Sequence, residues 1–261
     1  MIINLLMKKN TISLFIVFAL TALFTSCSYN PSTPGTVTTM HFAKDFTAYY
    51  DISNVDTSGS GHNGDSILVT GRISVTDVVI DTNVTWAGKS HAVLIKTYQG
   101  SQVVDSQYYY QDPNGDLYRY NFAFSILNEF PYLKAGAGGS IDVGWVLAAK
   151  INSGSGTTWI PRSPDTLVIQ SGLNIPVVLA STGQMMTDTT ITVNAVSVKV
   201  RHSHVVVSAT AVGVTENGTA VIDSYYSTDI NATVEDFYRH VTLTGFFNQQ
   251  EQGKFKIMTS H

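Results

Sequence analysis

The chain has 261 residues, of which 13% are charged and 44% hydrophobic, and its formal net charge is −4. Typical soluble domains carry about 25% charged residues; here Thr, Ser, Val, Tyr and Gly take their place, a mixture suited to pleated, half-buried surfaces. No basic patch stands out, which argues against nucleic acid and against a polybasic contact with anionic lipid.

The first stretch has the layout of an export signal. Lys8 and Lys9 supply positive charge, and Thr11 to Phe24 is uncharged and mostly apolar. That run is too short for the about 20 residues a membrane-spanning helix needs. Small residues Thr25 and Ser26 then lead to Cys27, the only cysteine. Leu23-Phe24-Thr25-Ser26-Cys27 resembles the lipobox of bacterial lipoproteins, with Phe24 standing where Leu is commonest. The resemblance implies a signal peptide, residues 1–26, cleaved before Cys27, and diacylation of Cys27 with palmitate-type chains. It implies a bacterial cell-envelope protein held to a membrane by lipid, and Ser28 is compatible with the outer membrane. Removing the signal leaves 261 − 26 = 235 residues and, without the two lysines, a charge near −6. Acylated Cys27 leaves no thiol for a disulfide, a nucleophile or a metal.

Residues 27–41 read as the lipidated cysteine and a polar tether, with two prolines and a glycine between Ser28 and Thr39. From residue 42 to 261 the chain reads as one β-rich domain. Period-two alternation bounded by Gly, Asn, Asp and Pro predicts strands at Ile67–Val75, Val78–Thr85, His91–Tyr98, Val103–Tyr110, Leu117–Phe124 and Ile141–Ile151. Further strands are predicted at Val196–Arg201, Val205–Val214, Ala220–Tyr226 and Val241–Phe247. The clearest hairpin joins Val103–Tyr110 to Leu117–Phe124 through Asp112-Pro113-Asn114-Gly115-Asp116, where Pro presets φ and Gly accepts a positive φ. Short helical turns are expected at Ser125–Leu133 and, from a capping-box pattern at Thr233 and Asp236, at Val234–Tyr238.

An internal echo is present. Val103-Val104-Asp105-Ser106-Gln107-Tyr108-Tyr109 recurs as Val221-Ile222-Asp223-Ser224-Tyr225-Tyr226, and Thr85–Ser90 parallels Thr192–Ser197. A duplicated β-unit would give halves at about 42–155 and 156–261; chance likeness between β-rich stretches is the alternative.

No segment announces a chemistry. There is no Gly-x-Ser-x-Gly elbow, phosphate loop or dinucleotide fingerprint, so neither catalysis nor a cofactor is expected. Asp112, Asn114 and Asp116 alternate as in Ca²⁺ loops, but Gly115 precedes the third ligand and no acid closes the loop, so a plain turn is expected. His202 and His204 form a His-x-His pair able to share Zn²⁺, for which no nearby third ligand is visible. Aromatic residues are the abundant resource. Trp86, Trp145, Trp159, Tyr109 and Tyr226 are the candidate ligand-binding residues, because exposed rings stack on sugars or anchor partners.

The expected fold is all-β and antiparallel, either a strongly curved sheet or a β-sandwich, with few short helices. In architecture it resembles curved-sheet lipoproteins of the bacterial envelope, which implies a lipid or protein ligand in the hollow of the sheet. The favoured function is non-catalytic binding of an apolar or lipidic ligand or a protein partner. The alternatives are a glycan-binding surface lipoprotein and a hydrolase with a site assembled from distant strands.

Overall fold

The computed structural model describes residues 37–56, 68–122, 144–169, 175–211, 217–244 and 252–261. The signal segment, Cys27, the helical turn expected at Ser125–Leu133 and part of the expected strands lie outside them. The described part is all-β, and it forms one antiparallel sheet that is not closed.

Fourteen strands follow in chain order. They are β1 (Thr47–Asp56), β2 (Leu68–Trp86), β3 (Lys89–Gln99), β4 (Gln102–Gln111), β5 (Asp116–Tyr120), β6 (Trp145–Lys150), β7 (Thr158–Trp159) and β8 (Asp165–Ile169). Then come β9 (Ile175–Met185), β10 (Thr189–Val193), β11 (Val196–Ala211), β12 (Asn217–Ser227), β13 (Ala232–Thr244) and β14 (Gln252–Ser260).

Three expectations are corrected. Val234–Tyr238 is not a helical turn: it lies within β13, whose backbone is paired with β12 on one edge and β14 on the other. The break expected near Thr76-Asp77 is absent because Asp77 is a buried strand residue, bonded to Thr97 across the β2–β3 ladder. The break expected at His202-Ser203-His204 is absent because β12 pairs with all three residues and β9 with Ser203 and His204.

The sheet runs β6-β5-β4-β3-β2-β1-β14-β13-β12-β11-β9-β7, with β10 on β11 and β8 on β9. β7 and β8 occupy one position beside β9, and β9 and β10 one position beside β11. The path is therefore two six-strand meanders of the same sense laid end to end. The echoing segments fall on β4 and β12, the third position from the start of each run. The hairpin tips before β3 and β11 both carry two residues of positive φ, Ala87-Gly88 (43° and 80°) and Asn194-Ala195 (47° and 63°), the conformation of type I′ turns. The boundary at residue 155 falls between β6 and β7.

Directly opposed residues of an antiparallel pair share a face, so the ladders define two faces. Arg119 of β5 and Asp236 of β13, six places apart in the path, meet at 3.0 Å. A flat sheet with strands about 4.8 Å apart would hold them nearly 30 Å apart, so the sheet curls and this face is concave. Val79, Ile95, Leu117, Val146, Leu179, Val205 and Ile222 pack together within the curl. A second cluster forms where Val198, Val200 and Val193 meet Tyr50, Val234 and Met258.

The two ends of the path meet without a ladder. Leu147 N–H of β6 donates to Pro161 O (2.9 Å), Trp159 Nε1–H donates to Leu147 O (2.9 Å), and the Ser203 hydroxyl donates to Ala148 O. Pro161 and Pro164 lack N–H donors, which limits pairing along this seam.

Residues 37–41, read as the end of the tether, are docked on the domain. Thr38 N–H donates to Asn152 Oδ1, Met40 N–H to Gln111 Oε1 and His41 N–H to Asn231 Oδ1, and Met40 is buried.

Candidate functional sites

The convex face of β2–β6 carries a cluster of six aromatic rings. The turn at Ala87-Gly88 reverses the chain beside Trp86, and the indole stacks on Tyr108 with centroids 4.1 Å apart and planes 3° from parallel. Tyr120 meets both rings edge-on at 5.8 and 6.4 Å. Trp145, opposite Tyr120 in the β5–β6 ladder, adds a ring 5.4 Å away. Tyr110 and Tyr118, opposed across β4–β5, extend the cluster. Trp145 Nε1–H donates to Ala87 O at 3.1 Å, tying β6 to the β2–β3 tip. Lys89 Nζ lies 4.7 Å from the Tyr110 centroid and 5.5 Å from that of Tyr118. Burial first, then Asp112 and Asp116, raise the Tyr118 pKa, so its hydroxyl stays protonated. Trp86 remains 38% exposed.

Of the five aromatic candidates, Trp86 and Trp145 sit in this cluster. Tyr109 and Tyr226 are 2% and 0% exposed within the concave core, and Trp159 is 8% exposed. The reason is the pleat: Tyr109 lies between Tyr108 and Tyr110, so when those face outward it must face inward. The same alternation was available to find Tyr108, Tyr110, Tyr118 and Tyr120 once the face was known.

The concave side holds charge as well as hydrocarbon. Arg119 Nη1 donates to both oxygens of Asp236 (3.1 and 3.0 Å) and to Tyr226 Oη (3.4 Å), while its guanidinium lies 4.2 Å from the Phe122 ring centroid. Lys256 Nζ donates to Asp77 Oδ2 (2.6 Å) and sits 4.3 Å from the Tyr50 ring centroid. Burial, more than any other influence, raises the pKa values of Tyr50, Tyr109 and Tyr226.

On the convex face of β11–β13, His202 Nε2 and His204 Nδ1 both lie on one oxygen of Asp223, at 2.7 and 2.8 Å, and His202 stacks on Tyr225. Although burial opposes ionisation, these two bonds hold the Asp223 carboxyl well below the usual carboxylate range. An ionised carboxylate only accepts, so both imidazoles donate to it. The carboxylate thus occupies one nitrogen of each histidine, and no group of three or more metal-ligating side chains suited to an ion occurs among the described residues. The Asp112 segment is a hairpin turn: Asp112 Oδ1 accepts the N–H groups of Asn114 and Asp116, and Gly115 has φ 82°.

Glu235 lies opposite Tyr225. Burial first, then the Asp236 and Asp223 carboxylates, push its pKa from 4.5 to about 7. The folded state then binds more protons than the unfolded state between those values, so stability falls as pH rises through that window. Glu235→Gln is expected to stabilise the protein by about 2–3 kcal/mol at pH 8 and by almost nothing near pH 4. Thermal melts at the two pH values check this; an equal gain at both would show that its charge is not the cause.

A cleft of about 660 Å³ opens where β7, β9 and β11 meet, lined by Thr158, Trp159, Ile160, Thr182, Gln184 and His204 among others. The Trp159 indole lies against Gly183, where an added Cβ would fall 2.2 Å from Cε2.

The chain matches no protein-family model, and neither the search of curated proteins nor that of solved structures finds a match.

Proposed function

We propose that this is a lipid-anchored bacterial envelope protein that binds glycan without catalysis, using the convex aromatic cluster. The lipobox-like segment at Cys27 supports the anchor and the envelope location, and Ser28 after it is compatible with the outer membrane. The observation that carries the binding role is the Trp86–Tyr108 stack flanked by Tyr120 and Trp145 on an exposed face. These are Trp and Tyr rings, which offer an apolar face to sugar C–H groups and a polar rim to sugar hydroxyls. Among the described residues the concave face carries packed core side chains and two ion pairs, which favours this reading over a lipid in the hollow of the sheet.

Affinity electrophoresis in gels containing neutral polysaccharides tests the role. Wild type is expected to be retarded by at least one polymer, and Trp86→Ala to lose about tenfold in affinity, the scale of one stacked aromatic contact at roughly 1–1.5 kcal/mol. Retardation unchanged in Trp86→Ala would remove the cluster from recognition. The second reading, a protein partner on the same face, is favoured by Lys89 among the rings, since cations and aromatic anchors recur at interface hot spots. Cross-linking in envelope preparations separates the two.

A further inference from the structure

We infer that the cleft between β7, β9 and β11 is a second ligand site, separate from the aromatic cluster, and that it takes a neutral, polyhydroxylated small molecule of the monosaccharide class. Its volume of about 660 Å³ lies within the usual range of small-molecule sites, roughly 300–1,000 Å³. Opposed pairs place the polar lining: Thr158 faces Gln184 across β7–β9, and Gln184 faces His204 across β9–β11. Ile160, 65% exposed, and Val206 supply apolar wall. The floor is rigid, since the Trp159 indole lies over Gly183 and its N–H is fixed on Leu147 O at 2.9 Å.

His204 gives the site its polarity. Its Nδ1–H is committed to Asp223 at 2.8 Å, which leaves Nε2 as the ring nitrogen open to a ligand hydroxyl. Thr158 and Thr182 supply hydroxyls that both donate and accept, and Gln184 an amide that does the same.

The lining decides against other ligand classes. An anion would meet no cationic side chain of the lining and would approach the Asp223 carboxylate behind His204. A cation would find no carboxylate in the lining, and Asp223 Oδ1, behind His204, already accepts two imidazole donors. A purely apolar ligand would strip water from two hydroxyls, an amide and an imidazole without replacing their hydrogen bonds, which costs about 1–3 kcal/mol for each group left unpaired. A sugar ring satisfies both kinds of wall.

Saturation-transfer NMR tests this on the exported protein with the acyl chains omitted, using glucose, galactose, mannose and N-acetylglucosamine as separate probes. At least one is expected to receive saturation from wild type. The signal is expected to persist in Trp86→Ala, which weakens the aromatic cluster, and to fall at least tenfold when Gln184→Ala/His204→Ala or the shape-conserving Thr182→Val is added to Trp86→Ala. Thr182→Val keeps the test decisive if the double variant fails to fold. No transfer to any probe, or transfer that survives the cleft variants, overturns the inference. Transfer already lost in Trp86→Ala alone overturns it too, because it assigns the sugar to the aromatic cluster and leaves the proposed function standing.

Discussion

Arg119→Met is expected to destabilise the folded protein by about 3–5 kcal/mol, the usual result of removing one partner of a buried ion pair. Asp236 is then left 3% exposed, without the guanidinium that donates to both its oxygens. The loss is large against the about 5–15 kcal/mol that holds a typical protein folded. Asp236→Leu alone is expected to be equally severe, since it takes the carboxylate from a buried guanidinium that lies against Tyr109 and Phe122. The double variant Arg119→Met/Asp236→Leu is expected to recover most of the stability, because hydrocarbon of similar volume replaces both charges. Urea unfolding of the three variants checks this. If the two single losses simply add in the double variant, the pair is not the coupled unit that its geometry indicates.

Gly183→Ala has the second large expected effect. The new Cβ would lie 2.2 Å from Trp159 Cε2 and 2.5 Å from two further indole atoms. A methyl group cannot occupy that space, and overpacking of this kind typically costs 1–3 kcal/mol. Here the indole cannot move without breaking its bond to Leu147 O, one of the links across the seam among the described residues. The loss is expected at the upper end, about 3 kcal/mol, with amide exchange accelerated first at Leu147. Gly183→Ala/Trp159→Leu, with a smaller side chain opposite the methyl, is expected to regain part of the stability. A Gly183→Ala protein that melts like wild type would mean that the indole has another place to sit.

Some of this was legible in the sequence. The all-β class followed from alternation and turn residues, and the hairpin around Asp112–Asp116 from Pro113 and Gly115. The merging of two expected strands into β2 was not legible, because Asp77 looks like a turn residue until Lys256, 179 positions away, is known to pair with it. β13 was misread at Thr233–Asp236 because a capping box is a local pattern and two flanking ladders are not. The aromatic cluster was half legible. Tyrosine abundance marked the region, but which of Tyr108, Tyr109 and Tyr110 face outward depends on the direction of the curl. His202 and His204 were visible as a pair, whereas their common carboxylate, Asp223, comes from the neighbouring strand.

The position of β14 bears on how the sheet assembles. Each six-strand run grows by adding a strand beside one near it in the chain, a local process that proceeds quickly. The junction between the runs is different: β14 lies between β13 and β1, and its ladder with β1 pairs Tyr49 with Ser260. Closing a loop of that length carries the largest chain-entropy cost in the path. Residues 252–260 are thus the keystone strand, joining the two meanders into one curl through the ladder of greatest sequence separation in the sheet.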